Sequence, residues 1–154
     1  MTNVFISLFT INEVELTYRK KSEHPEIIIT SQEMAAQILR SAWDENKIEL
    51  LEQFKIVLID GANACLGVAD ISSGGLSSCM VDVRLVFATA LKAKATQIIL
   101  AHNHPSGRTT PSDVDLALTK RLCAAGEILD IRVLDHFILT KESHRSLASA
   151  GLMP

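Results

Sequence analysis

Cysteine is scarce and poorly placed for cross-linking. The chain has only Cys65, Cys79 and Cys123, an odd number, widely spaced and without a CxxC pair. That excludes a disulfide framework or a cysteine-rich zinc site, and the three read as reduced, partly buried packing residues. Aromatic residues are equally thin at 5 %, with one tryptophan and one tyrosine. A basic excess is missing too. The formal net charge is −3 and the pI about 5.9, which argues against direct nucleic-acid binding through a DNA-coating surface. Arg19-Lys20-Lys21 is the tight basic run, and it reads as a solvated strand end or loop. No apolar run reaches the roughly 18 residues that span a membrane. The opening stretch is interrupted by Glu13 and Glu15 and lacks the basic start and small-residue cleavage site of a signal peptide, so the expected compartment is the cytoplasm. Repeats, low-complexity tracts and linkers are absent. The expected organisation is one domain over residues 28–154 behind a strand-like extension at residues 1–27.

What is present is a core. Apolar residues make up 47 % of 154 positions and mean hydropathy is +0.22, with alanine, leucine and isoleucine dominant. Such a balance predicts a well-buried sheet, or a surface that meets a partner; a homodimer through an exposed sheet edge is one such expectation. Val4–Lys20 alternates imperfectly and predicts one strand or a hairpin, and Glu26–Ile29 a short extended lead-in. Thr30 with Glu33 forms a capping-box pattern opening a helix to about Trp43, with a further short turn at Glu49–Leu51. Phe54–Ile59, the Asp60-Gly61 turn and Cys65–Ile71 predict a hairpin, followed by a loop at Ser72-Ser73-Gly74-Gly75. Asp82 caps a helix over Val83–Ala95, and the apolar run Gln97–Ala101 has the composition of a strand covered on both faces. A helix from about Asp113 to Leu129 follows, then one strand or two within Ile131–Thr140 and a short helix over Ser143–Ala150, stopped by Gly151. Alternating helices and strands give an α/β fold, a mixed sheet flanked by helices in two or three layers.

The chemistry gathers at His102-Asn103-His104-Pro105, directly after the Gln97–Ala101 strand. Residues two apart in extended chain project to the same face, so two imidazoles at this spacing can converge on one metal. Pro105 and Gly107 force a turn that can bring the next helix over the same point, and Asp115 in its first turn can supply a third ligand. Three protein ligands leave a fourth tetrahedral position for water, the mark of a catalytic zinc site. Ser112 and Asp115 also fit a plain helix cap, and for that pair taken alone capping is the better reading. The conjunction favours metal: HxHP after a buried strand, seven intervening residues to Ser112 and ten to Asp115. A zinc hydrolase also needs a proton acceptor, and Glu52, just ahead of the Phe54–Ile59 strand, is the candidate, although an acid at a strand edge is more often a solvated surface residue. His136 sits between apolar residues and reads as a satisfied structural histidine or as a partner that orients a ligand. His24 and His144 lie in polar surroundings and are assigned no role.

Taken together, Glu52, His102-Asn103-His104-Pro105, Ser112 and Asp115 resemble the JAMM (MPN+) metallopeptidase motif. More narrowly, the chain is similar to the C-terminal domain of RadC proteins. The similarity lies in EQFKIVLID from Glu52, Ser72–Gly75, Val81–Arg84, IILAHNHPSG from Ile98, Pro111–Asp115, LDHFILT from Leu134 and SLASAGL from Ser146. The resemblance implies a cytidine-deaminase-like three-layer sandwich. It also implies Zn²⁺ on His102, His104 and Asp115, Glu52 as general acid/base, and Ser112 as support for an oxyanion. A peptide or protein substrate with a scissile amide or isopeptide bond follows from the same source. RadC proteins carry an N-terminal helix-hairpin-helix region of DNA-binding type, which the residues before the matching domain do not resemble. Two other functions compete: a repair, recombination or mobile-element accessory factor acting with a partner, and a non-catalytic metal-stabilised interaction module. The string HNH is not the HNH nuclease motif, whose members are spread along a ββα unit, and the deaminase HxE with PCxxC and the zincin HExxH are absent.

Overall fold

The structure is a computed structural model that describes residue 23 and residues 25–75 and 79–154; the expected strand or hairpin at Val4–Lys20 lies outside the described residues. Three helices and five strands are found among them. In chain order they are α1 (Gln32–Ser41), β1 (Gln53–Ile59), β2 (Cys65–Ser73), α2 (Val83–Lys92), β3 (Gln97–Asn103), α3 (Asp113–Leu129), β4 (Arg132–Leu139) and β5 (His144–Ser146). The strands form one mixed sheet in the order β2-β1-β3-β4-β5. The β1–β2 and β1–β3 pairs are antiparallel, β3–β4 is parallel, and β4–β5 is antiparallel. A parallel pair needs a long crossover, and α3 is that crossover.

Alternation along the central strands sorts side chains into two cores. On one face Phe54, Ile56, Leu58, Ile98 and Leu100 pack with Val86, Phe87 and Ala90 of α2 and Leu122 of α3. On the other, Val57, Ile59, Ile99, Ala101, Phe137 and Leu139 pack with Ala35, Ala36 and Leu39 of α1, with Trp43 and Ile48 beyond it. Of the two or three layers left open by the alternation of elements, three form, as the resemblance implied, with β3 at the centre of the middle layer.

Several boundaries differ from the expected ones. Ser31, not Thr30, caps α1: its Oγ accepts from the Met34 amide at 3.1 Å. Thr30 instead leaves an extended lead-in, where Ile28 bridges Ala64 and the Ile29 amide donates to Asn63. Ser72 and Ser73 are not loop residues but pair with Phe54 and Gln53, so β2 runs further. Helix α2 ends at Lys92 rather than Ala95, because Lys94 takes a left-handed φ of 62° and Thr96 is already bonded to Ile59. Residues 132–139 form one strand despite Asp135 and His136 in its middle; both polar side chains are buried with partners. The expected helix at Ser143–Ala150 is instead β5 and a turn. The Asp135 carboxylate accepts from Ser146 Oγ and the Ala148 amide, pulling this segment onto the open edge of β4.

Gly126 marks where α3 meets the strand it feeds. A Cβ at this position would lie 2.3 Å from the Ile131 carbonyl oxygen, a backbone atom fixed by the Ile131 amide bond back to Gly126. Gly126→Ala is therefore expected to destabilise the fold by about 1–3 kcal/mol. Urea denaturation should show a lower midpoint with an unchanged slope; an unchanged midpoint would contradict the close approach.

Candidate metal centre

Strand β3 carries its regular pairing further than composition suggested, through His102 and Asn103. On one side His102 pairs with Phe54; on the other, β4 reaches Leu139 opposite Asn103, and the His104 amide donates to the Leu139 carbonyl at 2.9 Å. His104 thus extends the sheet by one bond beyond the strand, and its imidazole stays on the same face as that of His102. Their Nε2 atoms lie 2.9 Å apart. The first turn of α3 arrives over this end of the sheet and delivers Asp115, whose Oδ1 is 3.3 Å from His102 Nε2 and whose Oδ2 is 3.4 Å from His104 Nε2. The donor atoms of all three residues lie within 4.8 Å of one another.

The cap weighed for Ser112 and Asp115 is formed, and it leaves the carboxylate facing the histidines. Ser112 Oγ accepts from the Asp115 amide at 3.1 Å while Asp115 Oδ2 accepts from the Ser112 amide at 2.7 Å, a reciprocal capping box. That cap fixes the carboxylate where it faces both imidazoles. Burial alone would raise the Asp115 carboxyl, but His102, His104 and the Ser112 amide hold it well below the usual carboxylate range. His104 is raised above its ordinary 6.5 chiefly by Asp115, against partial burial, with the Arg108 carbonyl and Glu52 adding to the effect.

Do these residues fit a metal? His104 Nδ1 is 2.7 Å from the Arg108 carbonyl oxygen, which can only accept. The neutral ring therefore carries its proton on Nδ1 and presents a lone pair on Nε2 toward His102 and an ionised carboxylate. Nitrogen and oxygen donors converging at this spacing suit a divalent transition ion, and the site fits one. Glu52 and Ser112 line the same cleft of about 590 Å³, together with Phe54, Cys79, Arg108 and Leu118. Cys79 Sγ donates to Glu52 Oε1 at 3.7 Å, and burial, assisted by Glu52, pushes the thiol up to about 11, so it is a neutral donor.

Two residues that sequence reasoning left without a firm role hold this arrangement. Asn103 projects to the face opposite the histidines and is fully buried. Its Oδ1 accepts from the Gln53 amide at 2.8 Å, and its Nδ2 donates to the carbonyls of Ile48 and Leu51 at 2.8 and 2.9 Å. Glu52 is thereby pinned on both flanks, and its own carbonyl accepts from Gly74. The sequence offered a weak signal, an amide alternating with the imidazoles, but its partners are tertiary. His136, also fully buried, stands 2.8 Å from His102 Nδ1 through its Nε2. Burial, reinforced by the neighbouring imidazoles, lowers its pKa to about 3, so it is neutral.

Asn103→Ala should cost about 2–4 kcal/mol in thermal or denaturant unfolding, since it orphans a buried amide and two carbonyls. A loss within error would show that these bonds are dispensable. The raised His104 pKa has a second consequence. Below it a proton occupies the ring and a metal must displace that proton, whereas Asp115 stays ionised. Zinc affinity, measured by competition with a chromophoric chelator, should fall about tenfold per pH unit as pH drops through the His104 pKa. A flat profile there would contradict the proton competition.

The model of the RadC-like JAB domain family matches residues 29–152. A UPF0758 protein of Syntrophomonas wolfei is 41 % identical over 127 residues, covering 82 % of this chain and 54 % of that protein. UPF0758 proteins of Flavobacterium johnsoniae and Desulforamulus reducens are 43 % and 46 % identical over 101 and 102 residues, 66 % of this chain in each case and 44 % and 45 % of theirs. The chain spans about half the length of the curated relatives it matches. Among the described residues no helix is long and apolar enough to cross a membrane. By its match over most of its length, the chain belongs to the RadC-like JAB domain family.

Proposed function

We propose that this chain is a zinc-dependent hydrolase of amide bonds in peptides or proteins, with His102, His104 and Asp115 as ligands, Glu52 as general acid/base and Ser112 as an oxyanion donor. The observation that carries the reading is the convergence of three donors within 4.8 Å in a cleft that Glu52 and Ser112 also line. Zinc held by three such ligands supplies an open coordination position and lowers the pKa of a water there toward about 7.

The chain's own residues account for the remaining steps. Glu52 is half-buried at the cleft wall, with its backbone fixed by Asn103, and accepts the proton of the attacking water. It then returns that proton to the leaving amine. Ser112 Oγ accepts from the Asp115 amide, which leaves its hydroxyl hydrogen to donate to the carbonyl oxygen as charge develops there. Phe54, Val81, Val114 and Leu118 give the cleft an apolar wall suited to side chains flanking a scissile bond. The acidic net charge disfavours direct nucleic-acid binding, so any role in DNA metabolism would run through a partner.

The test begins with elemental analysis of purified protein beside His104→Ala and Asp115→Ala. Near-stoichiometric zinc in the wild type is expected to be lost in both variants. A peptide and isopeptide substrate screen on the zinc-loaded protein should then find chelator-sensitive cleavage that Glu52→Gln reduces by about 10²–10⁴-fold with zinc content unchanged. Well-folded wild type that takes up no added Zn²⁺ would overturn the reading.

A further inference from the structure

A buried polar chain runs from one candidate ligand back to another. His102 Nδ1 lies 2.8 Å from His136 Nε2, His136 Nδ1 lies 2.7 Å from Thr119 Oγ1, and Thr119 Oγ1 lies 2.7 Å from the Asp115 carbonyl oxygen. His136 and Thr119 have no solvent exposure and His102 has 2 %, so no water competes for these bonds. Phe54 seals the chain, stacked on His102 and edge-on to His136.

The direction of every proton in this chain follows from its last link. Two oxygens 2.7 Å apart need a hydrogen between them, and a carbonyl has none to give. Thr119 therefore spends its only hydrogen on the Asp115 carbonyl and can only accept from His136. His136 then carries its proton on Nδ1, and its Nε2 can only accept. His102, when its ring is neutral, must in turn carry its proton on Nδ1, which leaves its Nε2 bare toward His104 and Asp115. The reverse order would set the lone pairs of Thr119 Oγ1 and the Asp115 carbonyl against each other.

We propose that Thr119 and His136 are positioning residues, a relay that locks His102 in the tautomer whose Nε2 lone pair faces His104 and Asp115, and that ties this ring to the backbone of Asp115. The proposal rests on the zinc reading for its purpose but not for its geometry. A ligand histidine whose second nitrogen is held by a buried acceptor does not have to change tautomer or rotate when metal arrives. Loss of such a partner typically lowers metal affinity 10–100-fold. His136 is thus assigned a positioning role, and Thr119, a helix residue with no motif around it, joins it.

The experiment uses the full chain with zinc as the probe. Thr119→Val keeps the shape and removes the acceptor; Thr119→Ser keeps the acceptor. Zinc dissociation constants should rise about 10–100-fold in Thr119→Val and stay near wild type in Thr119→Ser. A merely structural role would instead track unfolding midpoints of the metal-free proteins. Imidazole ¹⁵N spectra of metal-free wild type, taken above the His104 pKa, should show His102 protonated on Nδ1. That reading holds even if Thr119→Val does not fold. His102 protonated on Nε2, or equal zinc affinity in well-folded Thr119→Val, would overturn the relay. Wild type that takes up no zinc but shows the Nδ1 tautomer would overturn the zinc reading and uphold the relay.

Discussion

The arrangement depends on β3 being paired on both sides as far as His102, its penultimate residue. A strand end normally frays, and imidazoles on a fraying end would sample many positions. Here β1 holds one side at His102, and β4 holds the other through Leu139, whose carbonyl takes the His104 amide. Two imidazoles are thus fixed by backbone pairing rather than by loop conformation. Sites built on regular elements are held more precisely than sites on loops. The crossover then brings the first turn of α3 over the same end, where the capping box sets the carboxylate.

The same strand end serves both faces of the sheet. Asn103 lies between the histidines and turns to the α1 side, where it binds the chain on either side of Glu52. The residue ahead of β1 and the residues at the end of β3 are therefore coupled through one side-chain amide. Where β1 stops offering a backbone partner, that amide continues the ladder. The cost of burying it is offset by the use of its carbonyl oxygen and both hydrogens.

Much of this was legible in the residues because the signals were periodic or local. The apolar runs of β1 and β3, the Asp60-Gly61 hairpin, the Asp82 and Ser112 caps and the full span of α3 rest on alternation and short-range hydroxyl or carboxylate chemistry, and they are found where expected. His102, His104 and Asp115 were nameable because the spacing of HxHP and the following helix start is itself a geometric statement. What was not legible depends on distant partners. Thr119 carries no local mark, and its importance comes from His136 on another element. Residues 144–150 have helical composition, yet the carboxylate of Asp135 and the free edge of β4 decide their conformation. Ser31 displaces Thr30 as a cap because Ile28 and Ile29 are drawn into pairing with the β1–β2 turn.

The alternation at the end of β3 also limits how this site can change. From Gln97 to His102 the chain is locked in register with neighbours on two sides, and β4 alone continues the register to His104; a slip of one residue exchanges faces. A single insertion or deletion there would point an amide at the candidate metal site and imidazoles at the carbonyls of Ile48 and Leu51. The turn from Pro105 to Pro111 has no such sheet register, and apart from the Arg108 carbonyl that meets His104 Nδ1 its residues can vary while the helix start is kept in place. Diversification of this centre is therefore confined to the rim: the loop can remodel what enters the cleft, while the eight residues that precede it must be inherited as a block.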